Sequence, residues 1–206
     1  MRIAVLGATG RTGRLVVRTL LERGHHLVAV VRDADRAELP EEVELVVGDV
    51  RRADVLGRAV EGADAIVSAL GPGPGAPRLH AEVAPVLLSV MTESGVRRYV
   101  GVSGAGLTVP GDRKSLRDRV ISALMSRSAM VADKAAEHRT WVSSDIAWTL
   151  VRPPRLTDGP AGDAVEHHAH CSPRRTLLSR ADLAVFLADV VEGDLYAGRA
   201  PLVAAR

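Results

Sequence analysis

Three glycines at three-residue spacing, Gly7, Gly10 and Gly13, punctuate the run Gly7-Ala8-Thr9-Gly10-Arg11-Thr12-Gly13. An apolar stretch, residues 2–6, precedes the run. From Thr12 to Arg23 an amphipathic stretch follows, with Leu15, Val16, Thr19 and Leu20 at helical spacing and Gly24 to end it. Glycine lets the backbone turn tightly and come close to a ligand, and a helix that starts there offers N–H groups and the positive end of its dipole. The chemistry this arrangement suits is the binding of a pyrophosphate, as in a dinucleotide. The spacing is Gly-x-x-Gly-x-x-Gly, and its place at the first strand-to-helix turn is what makes it specific.

A second position bears on which dinucleotide. Residues 26–31 read as an apolar strand, and Arg32 and Asp33 follow it. An acidic residue directly after this strand would bind a ribose 2′-hydroxyl, whereas arginine suits a 2′-phosphate. NADP(H) is therefore expected over NAD(H), with Arg11 and Arg36 adding positive charge.

Other chemistry-bearing residues point less far. His167, His168, His170 and Cys171 are ligand types for zinc or copper. Adjacent ligands on an irregular segment diverge, however, and no carboxylate at a recognised spacing orients them. No metal site is expected; these histidines are read as a substrate-side loop, one of which could supply a proton. His138 is expected at the surface or as a cap, and Cys171 as an inert thiol. Gly101-Val102-Ser103-Gly104-Ala105 fails the nucleophile-elbow pattern at its last position, which argues against serine-hydrolase chemistry. Arg113, Lys114, Arg117 and Arg119 are expected to be a solvated face, with contact to an anionic substrate or a partner as the alternative. Lys114 and Lys134 are the only lysines.

The elements that must position these residues alternate. Strands are expected at 2–6, 26–31, 43–47, 64–69, 97–102 and 147–151. Helices are expected around 12–23, 55–60, 78–94, 130–143 and 180–191, with Pro85 as a possible kink and Gly71 to Pro77 as a turn. This alternation implies an α/β, Rossmann-type doubly wound parallel sheet covered on both faces. The whole chain, 1–206, reads as a single domain, with 201–203 as an edge strand. Two segments of weak periodicity, 104–129 and 153–178, are expected on the substrate side.

Composition excludes several alternatives. Apolar residues make up 47% and charged residues 25%, but aromatics only 2%, so stacking platforms for single-stranded nucleic acid are missing. The 27 basic and 25 acidic side chains are interleaved, so neither nucleic acid nor membrane is an expected partner. One cysteine allows no intrachain disulfide, and a strand beginning at Arg2 leaves no room for a signal peptide. A cytoplasmic protein with a small-molecule partner is expected; the oligomeric state is not legible.

These motifs, with Val47-Gly48-Asp49-Val50, Ser68-Ala69-Leu70-Gly71, Val102-Ser103 and Trp148-Thr149-Leu150-Val151-Arg152-Pro153, resemble the atypical short-chain dehydrogenase/reductases. The nearest group is the NAD(P)H-binding proteins similar to biliverdin reductase B/flavin reductase and to NmrA. The resemblance covers nearly the whole chain. It implies that Gly7, Thr9, Gly10, Thr12 and Gly13 line the pyrophosphate and that Arg32 meets the 2′-phosphate. It further implies Asp49 and Val50 beside the adenine, Ala69, Leu70 and Gly71 under the ribose nearer the nicotinamide, and Ser103 facing nicotinamide and substrate.

One departure matters. Standard members carry Tyr-x-x-x-Lys on the helix after the fifth strand, the Tyr as proton donor. The matching stretch here is Met130-Val131-Ala132-Asp133-Lys134, with Met130, Lys134 and Glu137 on one helical face. Lys134 can still bind ribose, but Met130 cannot donate a proton, and Tyr99 and Tyr196 lie outside the pattern. The expected activity is hydride transfer from NADP(H) to a small acceptor that needs no strong acid, such as a flavin or quinone, with Ser103 and Lys134 as catalytic candidates. The alternative is a non-catalytic, NmrA-like protein that senses NADP(H). A sugar-nucleotide epimerase or dehydratase is improbable without the tyrosine.

Overall fold

The computed structural model describes residues 1–71, 75–125, 128–162 and 164–206. The expected Gly71–Pro77 turn and the segments 104–129 and 153–178 lie partly outside these residues.

Short runs of Val, Ala, Ile and Leu form six parallel strands: β1 (Arg2–Leu6), β2 (His26–Val31), β3 (Glu44–Val47), β4 (Ala65–Ser68), β5 (Arg98–Val102) and β6 (Ala147–Val151). Their order in the sheet is β3-β2-β1-β4-β5-β6, the doubly wound arrangement that reverses direction between β1 and β4. The register carries one continuous rung across the carboxyl ends of the strands: Val46, Val30, Leu6, Ser68, Gly101 and Leu150. Everything that follows this rung in each strand emerges along one edge of the sheet.

The strands are apolar on both faces because helices cover both. Ile3, Val5 and Val100 pack against α1 (Arg11–Glu22) and α6 (Arg180–Glu192). Ala4, Leu6, Ile66 and Leu150 pack on the opposite side against α2 (Ala53–Val60), α3 (Leu79–Ser94) and α5 (Ala129–Val142). Val16, Val17 and Leu20 of α1 and Leu183, Leu187 and Val190 of α6 are fully buried. Each such side chain contributes about 1.5–3 kcal/mol relative to exposure. α3 runs uninterrupted through Pro85.

The segment 104–129 is not irregular throughout. It holds a helix, α4 (Leu116–Met125), whose start has a local cause: the Ser115 hydroxyl oxygen accepts from the Asp118 N–H at 3.2 Å, the serine half of a capping box. Leu116, Val120 and Leu124, four residues apart along the helix, are exposed. The segment 153–178 contains three short strands, β7 (Arg155–Thr157), β8 (Val165–His168) and β9 (Leu177–Ser179). β7 pairs in parallel with β9, and β8 pairs antiparallel with the tail strand β10 (Leu202–Ala205). Among the described residues no helix is long and apolar enough to cross a membrane.

Candidate functional site

The phosphate loop is built by close backbone contact. Gly7 adopts a left-handed φ of +77°, and a Cβ there would lie 2.8 Å from the backbone of Ala69 and Leu70. The loops after β1 and β4 therefore touch at Gly7, at the point where the sheet changes direction. A Cβ on Gly13 would sit 2.0 Å from the Gly7 carbonyl oxygen, so α1 approaches the loop as closely as backbone permits. Gly10 is the N-cap of α1 and offers no side-chain hydrogen bond, which leaves the first-turn N–H groups to a ligand. Thr9 and Gly10 are exposed, and Thr12 is half-buried. Arg11 is exposed and lies 3.7 Å from Asp158, which Arg180 also holds at 2.6 Å.

The ends of β2, β3 and β4 complete this side. Arg32 is exposed and makes no hydrogen bond or ion pair to the described residues; Arg36 is likewise exposed. Asp49 is engaged by Arg51, whose Nη2 lies 2.5 Å from Oδ2 and whose backbone N–H donates to Oδ1 at 2.9 Å. These hydrogen bonds hold the Asp49 carboxyl down at about 2. Val50, Ala69 and Leu70 are half-buried, and Gly71 is exposed.

On the β5–β6 side, Ser103 follows the fifth strand, and its N–H donates to the Val151 carbonyl at 2.7 Å. Its Oγ is buried, with no hydrogen-bond partner among the described residues. Beside it opens a cavity of about 600 Å³ lined by Ser103, Leu107, Met130, Val131, Lys134, Leu156 and Val203, among others. Met130 is 46% exposed, one helical turn before Lys134, so the thioether stands at the cavity wall. Both weakly periodic segments contribute: Ala105, Lys114, Asp118 and Ser122 from one, Pro153, Arg155, Pro173 and Leu177 from the other.

Lys134 sits in a buried polar network that periodicity could not show. Its Nζ donates to the Val102 carbonyl at 2.6 Å, to His80 Nδ1 at 2.9 Å and to Glu137 Oε2 at 3.2 Å. An ammonium has three protons, and here each has a protein acceptor. Binding a ribose through Lys134 requires exchanging one of these bonds. Burial lowers the Lys134 pKa despite Glu137. Burial and the Lys134 charge push His80 down to about 3, so its imidazole is neutral. The Tyr99 hydroxyl donates to Glu137 Oε1 at 3.0 Å, and its ring stacks on Trp141. Asp133 accepts from the His80 and Ala81 N–H groups at 3.1 and 2.7 Å, so α5 supplies the cap that α3 lacks.

The remaining candidates fall elsewhere. His168 Nδ1 accepts from the His170 and Cys171 N–H groups, and His167 Nδ1 bonds the Tyr196 hydroxyl at 2.7 Å. His170 Nδ1 lies 3.7 Å from Asp112. Among the described residues no group of three or more His, Cys, Asp or Glu is disposed to hold a metal. His138 is not a surface residue or a cap: it is half-buried, edge-on to Trp148 at 5.4 Å, because α5 leans on β6 there. Lys114 is not part of a solvated face; its Nζ donates to the Ala105 and Leu107 carbonyls at 2.8 Å and to Ser122 Oγ at 2.9 Å, tying α4 to the cavity wall. Sequence reasoning missed His80, Asp133, Asp112, Arg155 and Arg175. Ser115-x-x-Asp118 was the one local signal for α4.

The residues present fit a dinucleotide. The cradle at Gly7 and Gly13 has room only for hydrogen, α1 starts without a side-chain cap, and Ser103 Oγ is buried and unpartnered at the cavity. Comparison with known proteins agrees. The profile of a family described as NAD(P)H-binding matches residues 7–194. The uncharacterised Bacillus subtilis protein YwnB is 27% identical over 164 residues, 79% of this chain and 75% of its own length. An uncharacterised Mycobacterium tuberculosis protein is 27% identical over 88% of this chain, which spans only 20% of that longer protein. Among solved structures, a short-chain dehydrogenase/reductase from Veillonella parvula in complex with NADP aligns with a TM-score of 0.81 at 19% identity, covering 98% of this chain and 94% of its own. ChuY, an anaerobillin reductase from Escherichia coli O157:H7, aligns at 0.80 with 20% identity, covering 100% and 97%. At these identities the structures speak to the fold.

Proposed function

Because this chain belongs to the NAD(P)H-binding family, we propose that it is an NADP(H)-dependent reductase that passes hydride to a small, flat acceptor such as a flavin or quinone. The observation that carries this reading is the cavity of about 600 Å³ against Ser103, Met130 and Lys134, at the same sheet edge as the phosphate loop. Its size is within the range of small-molecule sites, and its inner wall is apolar.

The chain's own residues hold and orient. Gly7, Gly10 and Gly13 with the start of α1 bind pyrophosphate; Thr9, Thr12 and Arg11 border it. Asp49 and Val50 border the adenosine end, and Ala69, Leu70 and Gly71 support the ribose nearer the cavity. Ser103 Oγ, buried without a partner, is free to donate one hydrogen bond to a ligand carbonyl or carboxamide. Lys134 holds the backbone at Val102 and so fixes where Ser103 stands. When bound, the reduced nicotinamide supplies a hydride, and the acceptor takes its further proton from water at the cavity mouth. Met130 offers no proton, which is why the acceptor is one that needs no protein acid.

The test is oxidation of NADPH under anaerobic conditions with riboflavin, FMN and naphthoquinone offered separately. Turnover with at least one is expected. Tight NADPH binding with no turnover on any of them would favour the second reading, an NmrA-like sensor of NADP(H), which Met130 at the cavity wall supports.

The choice of NADP(H) rests on Arg32, whose exposed guanidinium makes no hydrogen bond or ion pair among the described residues. Arg32→Ala is expected to weaken NADPH binding by about 10–100-fold, the loss of a charge-assisted hydrogen bond of about 1.5–3 kcal/mol. NADH binding should change by less than about twofold. Calorimetry with both cofactors checks this; an unchanged NADPH affinity in the variant would assign the 2′-phosphate elsewhere.

A further inference from the structure

Two arginines stand at the lining of the cavity with nothing to neutralise them. Arg155, the first residue of β7, and Arg175, in the turn before β9, both contribute to the cavity wall and are both exposed. Neither side chain makes a hydrogen bond or ion pair to the described residues. Some exposed arginines elsewhere hold acids, as Arg23 holds Asp189 and Glu192 and Arg51 holds Asp49, whereas Arg32 and Arg36 do not; what sets Arg155 and Arg175 apart is their place in the cavity lining. The parallel register places Arg155 opposite Leu177, two residues past Arg175, so the pairing of β7 with β9 brings two like charges into one neighbourhood. Two lysines also line the cavity: Lys114, tied down among carbonyls, and Lys134, whose charge Glu137 meets. Among the described residues Asp118 is the only acid in the lining, and side-chain hydrogen bonds from Ser172, Ser115 and Arg117 engage its carboxylate. Like charges gathered without counterions repel one another, and an anion placed among them relieves that repulsion.

Behind these charges the wall is apolar, from Leu107, Val131, Leu156 and Val203. An apolar pocket with cationic groups at one place accepts a ligand of matching polarity, an apolar body carrying a negative arm. A guanidinium fork meets carboxylate, phosphate or sulfonate oxygens with two parallel hydrogen bonds.

We propose that the acceptor of this cavity carries an anionic group, held by Arg155 and Arg175 while its apolar body lies against Leu107, Val131 and Leu156. The proposal rests on the reductase reading for the position of the acceptor and adds its charge class.

Two matched pairs of probes test it: FMN against riboflavin, and naphthoquinone sulfonate against naphthoquinone. Dissociation constants are measured by calorimetry with NADP⁺ present, at low and high salt, without turnover. In the wild type the anionic member of at least one pair is expected to bind about tenfold tighter or more, with the difference shrinking at high salt. The double variant Arg155→Ala/Arg175→Ala should lose that preference and keep its affinity for the neutral member. Arg155→Lys/Arg175→Lys should retain part of it. Equal affinities within both pairs, a preference that survives in the alanine double variant, or no binding of any probe would each overturn the proposal. NADPH oxidation with the neutral acceptors separates the two readings. Turnover of riboflavin or naphthoquinone without an anion preference removes this inference alone, and an arginine-dependent preference without turnover removes the reductase reading alone.

Discussion

Gly13→Ala is expected to weaken NADPH binding by about 100-fold or more, equivalent to about 2.7 kcal/mol. Gly13 lies inside α1 with helical backbone, so conformational freedom is not its role; the reason is distance. The added methyl would meet the Gly7 carbonyl oxygen at 2.0 Å and the Ala8 Cα at 2.9 Å, both backbone atoms that no rotamer change can move aside. α1 must retreat from the loop, and its first-turn N–H groups retreat with it. Overpacking of this kind also costs about 1–3 kcal/mol of stability, visible as a lower melting temperature. Gly57→Ala is the control. Gly57 lies in α2 with nothing within 4 Å of its virtual Cβ, and alanine there should leave binding intact and stabilise the helix by up to about 1 kcal/mol. If Gly13→Ala binds NADPH within about threefold of the wild type, the tight approach of helix to loop is not what makes this a phosphate site.

The second large effect concerns the frame of the cavity. Arg152, at the end of β6, is completely buried, and its five N–H groups have five acceptors. Nε donates to the Ala200 carbonyl at 2.7 Å; Nη1 donates to the Leu107 carbonyl at 2.9 Å and to Asp112 Oδ2 at 2.6 Å. Nη2 donates to Asp112 Oδ1 at 2.8 Å and to the Ala169 carbonyl at 3.3 Å. One side chain thus joins the strand edge to both cavity-lining segments. Removing one member of a buried pair strands the other charge, so Asp112→Ala should cost about 3–5 kcal/mol, measured by denaturant unfolding. The double variant Arg152→Met/Asp112→Leu should be less destabilised than Asp112→Ala, because neither charge is left alone. A double variant as unstable as the sum of the singles would show that the arginine matters for its shape and not for its charge. The pair also sets an acid limit. Burial opposes ionisation of Asp112, but the hydrogen bonds from Arg152 and from the Val109 N–H outweigh it, so its carboxyl lies below the ordinary value of 3.8. A carboxyl depressed on folding contributes stability that is present above its unfolded pKa and is lost as pH falls through the folded one. In Asp112→Ala this part of the acid sensitivity should disappear.

Much of this molecule is legible without coordinates. Residues 2–6, 26–31 and 147–151 are strands over the ranges that apolar runs indicate, since a strand buried on both faces needs little but β-branched and small apolar residues. The glycine loop is equally legible, because glycine spacing between strand and helix is a local property. Asp112 and Arg152 carry no such mark: they are 40 residues apart, and nothing near either names its partner. The same holds for His80 and Lys134, 54 residues apart, and for the pairing of β8 with β10. α4 was legible only in part: Leu116, Val120 and Leu124 recur four residues apart, a helical spacing, within a short segment flanked by Gly, Pro and charged residues.

The amino-acid order by itself determined the alternation of strands and helices, the glycine loop between the first strand and helix, the arginine after the second strand and the methionine one turn before Lys134. Those are properties of neighbours along the chain, governed by backbone freedom, side-chain period and residue type. Only the tertiary structure decided that Lys134 spends all three protons on the protein, that Arg152 binds the cavity's two walls together, and that Arg155 and Arg175 line one cavity, with no ion pair to either among the described residues. Such facts depend on which distant segments the sheet brings to one edge, and a charge has no meaning for a site until its surroundings, water or carboxylate or apolar wall, are known.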